Sequence, residues 1–287
     1  MATMTNTPST KTQPRQLSNF TVRYLTALVF IPFGVLGAFI GGWVFALMLT
    51  PLAVIGGLEF YSLAAGRPKQ GIALAGIPAI LLTLAGFFFN DPVIGLIGLA
   101  VGAGMAAVVG MTRHGEMGRA ASQAWTTLLG VFYIGLPLGM LIAISNFSNG
   151  FLWIAVIFGI TWGTDTLAYA GGRLWGRTPL APKLSPKKTR EGALIGIIGG
   201  IVPPLLFLLR ADAVTTAAVV MIAFGPLVAI IGDLLESAIK RYYAVKDSHL
   251  ARLNVIPGHG GVLDRIDALL LVTVYCYLFI SLSGIAT

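Results

Sequence analysis

Apolar runs near the roughly 20 residues that a bilayer-spanning helix needs recur along the whole chain, separated by short polar or glycine- and proline-bearing breaks. They fall at about 22–40, 43–65, 71–89, 93–111, 125–145, 151–171, 193–209, 213–232 and 265–285. The pattern predicts an all-α polytopic membrane protein with about nine transmembrane helices. The seventh run is short enough to be partly re-entrant. The first is longer than a signal-peptide core and lacks a clear small-residue cleavage site, so it reads as a membrane helix. Residues 1–19 are polar and carry no sustained apolar period, and 1–21 read as a flexible cytoplasmic tail.

Composition agrees with this pattern. The chain is 56% hydrophobic and 10% charged, against about 25% charged residues in soluble domains. An ordinary globular enzyme, a disordered protein and a disulfide scaffold are excluded. The single cysteine, Cys276, lies in an apolar run and reads as a small packed hydrophobe. A net charge of +8 raises the question of nucleic acid, but the placement of the cations answers it. With the N-terminus in the cytoplasm, 18 of the 19 Lys and Arg residues fall on the inner side and only Arg210 falls outside. This is the positive-inside pattern of a polytopic protein, and it sets the C-terminus outside. No nucleic-acid partner is expected.

Acids divide the chain. Only Glu59, Asp91 and Glu116 precede position 150, whereas eight acidic residues follow it. The expectation is an N-terminal transmembrane scaffold over 22–150, about five helices, and a C-terminal catalytic domain over 151–287, about four helices with cytoplasmic loops 172–192 and 233–264.

Within that second half, Asp165 sits well inside an apolar run, where a carboxylate costs about 2.5–3.5 kcal/mol on insertion scales and usually faces a cavity, a cation or an ion. The bland alternative is a structural partner: Arg173, Thr164 or Thr166. Asp233, Glu236, Ser237 and Lys240 share one helix face by their spacing, suiting a cation and a phosphate, or else forming an ordinary Glu236–Lys240 pair. In PGHGGVLDRID, Gly258, Gly260 and Gly261 allow a tight turn that an anion can approach. Asp264 and Asp267 then share a face suited to a hard cation, or to helix-start capping. His259 contacts a phosphate or shapes the turn. In the 173–192 loop, Ser185–Pro186 reads as a helix N-cap. Lys187, Lys188 and Arg190 would then crowd the first turn, which suits a bound polyphosphate or charge attracted to lipid headgroups.

Acids for a metal and cations for phosphates, gathered at one membrane face, suggest a lipid phosphate and a nucleotide. Phosphoryl or nucleotidyl transfer needs mainly in-line positioning and charge neutralisation. No Walker A loop, H-E-x-x-H or G-x-G-x-x-G motif is present.

The stretches D-T-x-A-Y at 165–169, S-P-K-K-T-x-E-G at 185–192, G-D-L-x-E-S-x-x-K-R at 232–241, K-D at 246–247 and H-G-G-x-x-D-R-x-D at 259–267 resemble the phosphatidate cytidylyltransferase (CDP-diacylglycerol synthase) family. The resemblance covers about 160–285. It implies Mg²⁺-dependent transfer of CMP from CTP to phosphatidic acid, giving CDP-diacylglycerol and pyrophosphate, with K⁺ as a candidate second ion. Carried over by position, it implies Asp233, Asp264 and Asp267 as metal ligands and catalytic residues, with Asp165 supporting the metal. Lys187, Lys188, Lys240, Arg241 and Arg265 would hold phosphates, with Lys240 and Arg265 counted among the catalytic residues. Ser185 and Ser237 would offer hydroxyl contacts, while His259, Gly260 and Gly261 would shape the turn. Two departures stand out: a longer link between Lys246–Asp247 and His259, and Arg190 where the family commonly has Trp.

Two other readings compete. A CTP-dependent polyprenol or phytol kinase would use an alcohol acceptor and need a base. An ion-coupled transporter would use Asp165 as its coupling acid. The further expectations are a bacterial inner membrane, an active site facing the cytoplasm, membrane lipids as surroundings and a homodimer packed through glycine-rich N-terminal helices.

Overall fold

A chain in lipid must satisfy its backbone N–H and C=O groups internally, which restricts single segments to helices. The computed structural model describes residues 32–65, 70–114, 116–243 and 261–285. Residues 32–40 are helical and coincide with the end of the first expected run. There follow α1 (Gly42–Ala65), α2 (Gln70–Phe88), α3 (Pro92–His114) and α4 (Met117–Gly130). One π turn (Val131–Gly135) joins α4 to α5 (Leu136–Ser145) without a break. The second half contains α6 (Gly150–Trp175), β1 (Pro179–Ala181), β2 (Ser185–Thr189), α7 (Arg190–Arg210), α8 (Thr216–Tyr242) and α9 (Leu263–Ser283).

Each expected run from 43–65 onward coincides with a helix or, at 125–145, with α4, the π turn and α5 together. Seven helical segments among the described residues are long and apolar enough to cross a membrane; the apolar part of α2, Ala73–Phe88, is shorter. The seventh run is one continuous helix of 21 residues rather than a broken re-entrant segment.

The helix expected at Ser185 is a correction. Residues Ser185–Thr189 form a strand antiparallel to Pro179–Ala181, pairing Ala181 with Ser185 and Pro179 with Thr189. The cap of α7 lies four residues later, where the extended Thr189 accepts from Gly192 N at 3.1 Å. Glu191, just inside the helix, accepts from the backbone N–H groups of Arg177 and Thr178, both at 3.1 Å, and folds the preceding loop onto α7. Lys187 and Lys188 therefore stand on a strand, where they do not oppose a helix dipole.

Small residues set the closest packing. A methyl added at Gly163 of α6 would run into the carbonyl oxygen of Gly199 on α7, and one at Gly200 into the Thr164 hydroxyl. The two backbones meet without side chains between them, the usual way membrane helices approach closely. Buried threonines close their hydroxyls onto their own helices, Thr161 onto Ile157 O at 2.9 Å and Thr164 onto Ile160 O at 2.6 Å. The core runs through Ile134, Leu141, Trp153, Ile157, Met221, Val272 and Cys276, so both halves of the chain share it. Tyr275 adds a link by donating to Met221 O at 3.1 Å.

Candidate active site

Three helix ends and the hairpin bring the charged residues together. The C-terminal part of α6 supplies Asp165, β2 supplies Ser185, Lys187 and Lys188, and α8 supplies Asp233; together they line a cavity of about 490 Å³. Tyr169, Arg173 and Ile230 complete much of its wall. Lys188 and Asp233 form an ion pair, each less than one-third exposed. One helical turn further along α8, the buried Glu236 meets Lys240 at 2.5 Å, and Lys240 also donates to Asp264 of α9 at 3.1 Å. A single ammonium thus ties two acids on two helices. The Glu236–Lys240 pair that the spacing allowed is present, but its Glu236 side chain is only 2% exposed, so it is no ordinary solvated pair.

The hairpin carries its lysine into an unusual setting. Burial pulls the Lys188 ammonium below the usual lysine range; Asp267, Asp165 and Glu236 act in the opposite direction, and Lys240 adds to the fall. Desolvation is the largest of these effects, so an anion beside Lys188 would offset a cost already present in the fold.

A larger cavity of about 900 Å³ lies along α6 and α7 and is walled by Phe151, Phe158, Trp162, Leu167, Val202 and Phe207. Among the described residues its wall includes no carboxylate and one charged side chain, Arg210. Size favours this cavity, but chemistry favours the smaller one.

Among the described residues, no three His, Cys, Asp or Glu side chains converge as a ready-made cage. Asp165 and Asp233 line the cavity, and Glu236, Asp264 and Asp267 stand near it beside Lys188 and Lys240. Carboxylates on neighbouring helices fit the Mg²⁺ mode in which one or two acids, several waters and substrate phosphates complete the shell.

A family model described as the cytidylyltransferase family matches residues 21–283. The chain belongs to this family. It is therefore an enzyme of the nucleotidyltransferase class, embedded in a membrane by its apolar helices. It is similar to the phosphatidate cytidylyltransferase of Brucella abortus biovar 1, with 32% identity over 92% of this chain and 94% of the relative. Phosphatidate cytidylyltransferase 5, chloroplastic, of Arabidopsis thaliana is 30% identical over 85% of this chain and 68% of its own length. The Staphylococcus haemolyticus phosphatidate cytidylyltransferase is 37% identical over 50% of this chain and 54% of its own.

Within this cytidylyltransferase, most residues singled out from sequence fall in one region. Ser237 is half-buried on α8, and Asp267 is half-buried one turn after Asp264. Arg265 is exposed in the first turn of α9, and Gly261 is buried just before it. Arg241 directs its Nε to Leu184 O at 3.4 Å, bracing the hairpin against α8. Asp165 makes no ion pair with Arg173 among the described residues; it opens into the cavity instead. Lys246, Asp247, His259 and Gly260 lie outside the described residues, as do the tail and positions 22–31.

Sequence reasoning missed two residues from the first half. Glu59 of α1 is 2% exposed, and its carboxylate accepts from Val262 N at 3.0 Å and Leu263 N at 2.7 Å, at the start of α9. Tyr133, in the π turn, has a buried hydroxyl without a hydrogen-bond partner among the described residues, near the charges of Asp267, Glu236 and Asp264. π turns recur at functional sites. The rule that marked Asp165, an acid inside an apolar run, also marks Glu59.

Proposed function

We propose that the chain transfers CMP from CTP to phosphatidic acid, with Mg²⁺ as the activating ion and K⁺ as a candidate second ion. The observation that carries this reading is the junction of two ion-paired groups, Lys188–Asp233 and Glu236–Lys240–Asp264, beside a cavity lined by further hydroxyl and cationic groups. Family membership supplies the reaction class.

A phosphate oxygen of phosphatidic acid attacks the α-phosphorus of CTP. The new P–O bond forms as the bond to the β-phosphate oxygen breaks, and pyrophosphate leaves with that electron pair. A phosphate nucleophile is already ionised at neutral pH, so no general base is required. Catalysis then reduces to alignment and charge neutralisation. Lys187, Lys188 and Ser185 bind the triphosphate in the cavity, while Lys240 and Arg265 meet the acceptor phosphate or the leaving group. Ser237, Arg241, His259, Gly260 and Gly261 belong to the same substrate-binding set.

Asp233, Asp264 and Asp267 would hold Mg²⁺, with Asp165 in support. When bound, the ion draws negative charge off the phosphate oxygens. Lys188 and Lys240 would keep the acids ordered before substrate enters.

We also read the basic end of the bundle as cytoplasmic, with N-terminus inside, C-terminus outside, nine spans and a bacterial inner membrane as the setting. The concentration of cations at that end supports the orientation. A homodimer is supported by open space beside Gly95 and Gly104 on α3, where a second helix can approach.

Product analysis tests the reaction. Purified protein given CTP and phosphatidic acid yields CDP-diacylglycerol and pyrophosphate in equal amounts, and chelation of Mg²⁺ abolishes both. A lipid phosphate and a nucleoside diphosphate made from an alcohol lipid would instead establish the kinase reading.

A further inference from the structure

The start of α9 is poorly provided for by its own sequence. Its N-cap position is Val262, which is in a helical conformation and offers no side-chain hydrogen bond. Helix starts leave backbone N–H groups without intrahelical partners, and Gly261, Val262 and Leu263 are all buried. The missing acceptor arrives from more than 200 residues away in sequence: Glu59 takes Val262 N on one carboxylate oxygen and Leu263 N on the other. The next residue is Asp264, bound to Lys240, and Asp267 follows one turn on.

We propose that Glu59 is a positioning residue for cytidylyl transfer. Its two oxygens, gripping adjacent amides, fix both the height and the rotation of the first turn of α9. They thereby set where Asp264 and Asp267 stand relative to Lys240 and Lys188. The role rests on the reaction proposed above, but the contact itself does not. Glutamine is nearly the same size yet offers one acceptor oxygen, and its NH₂ would face a backbone donor. Aspartate keeps the charge and both oxygens but is shorter by one methylene.

The test compares full-length wild type, Glu59→Gln and Glu59→Asp in detergent by hydrogen–deuterium exchange and by steady-state kinetics with CTP and phosphatidic acid. In Glu59→Gln, amides from Val262 to Arg265 exchange faster by about tenfold or more, while α6 and α7 keep their protection. Its kcat falls about 10²-fold, the scale expected for misplaced reacting groups, and KM for CTP stays within about threefold. Glu59→Asp recovers part of both losses. Faster exchange with wild-type kcat would reduce Glu59 to a staple between helices, and unchanged exchange would remove the cap itself. Either result overturns the proposal. If Glu59→Gln does not fold, Glu59→Asp decides by the same two readouts, with smaller shifts in the same directions supporting the proposal. Wild-type protein that shows protection but no turnover would instead defeat the reaction assigned to the site.

Discussion

The two halves of this chain solve opposite problems with the same helices. From α6 onward, most charged residues other than Arg210 and Asp212 gather at one end of the bundle, and some are held by one another: Lys188 by Asp233, Lys240 by Glu236 and Asp264. From α1 to α5, charge is scarce, and Glu59 is buried against the amides of α9. On the proposed reading the second half carries most of the reacting surface, and Glu59 of the first half positions part of it. The two halves share a core and a carboxylate-to-amide clasp.

The difference can be broken experimentally at either half. Asp264→Asn should cost most. It removes a charge from the three-membered Glu236–Lys240–Asp264 group, and loss of one preorganised electrostatic group typically lowers kcat by about 10²–10³-fold. Turnover of folded protein checks this, and retention of more than about a tenth of wild-type kcat would contradict it. Lys188→Met leaves Asp233 without its ammonium; both side chains are only partly shielded, so the stability cost is about 1–2 kcal/mol. Its larger effect should be a raised KM for CTP, read from initial rates.

Gly163→Ala tests the packing that joins α6 to α7. The added methyl collides with the Gly199 carbonyl, and overpacking of this kind costs about 1–3 kcal/mol, visible as a lower midpoint of thermal unfolding in detergent. Thr189→Ala should show the smallest change. It removes the cap of α7, worth about 1 kcal/mol, and faster amide exchange should be confined to the first turn of that helix.

Much of the architecture was legible because lipid admits few backbone solutions. The runs at 43–65, 93–111 and 265–285 needed little more than apolar length to be read as α1, α3 and α9. The hairpin was not legible. Ser185–Pro186 is a sound helix-start signal, but β1 offers antiparallel partners to the very residues that would have formed the first turn, and Thr189 caps the helix instead. Local capping preference lost to pairing set by the loop. In the candidate site, Asp165, Lys188, Asp233, Lys240 and Asp264 were recognisable from residue type and motif. Their pairing was only half legible: the i,i+4 spacing suggested Glu236–Lys240, whereas the α8-to-α9 link through Lys240 depends on tertiary approach. Glu59 escaped notice for the same reason, since nothing near it in sequence indicates that its partners lie at Val262 and Leu263.

Cytidylyl transfer by the paired acids and lysines at the basic end of α8 and α9 is the function we propose. Its most direct test is pyrophosphate release by purified protein in detergent, given CTP and phosphatidic acid with and without Mg²⁺, beside Asp264→Asn. Release that needs both substrates and the ion, and that is lost in the folded variant, is the predicted result. Release that persists undiminished in Asp264→Asn would contradict the site, and no release from folded wild-type protein would contradict the reaction.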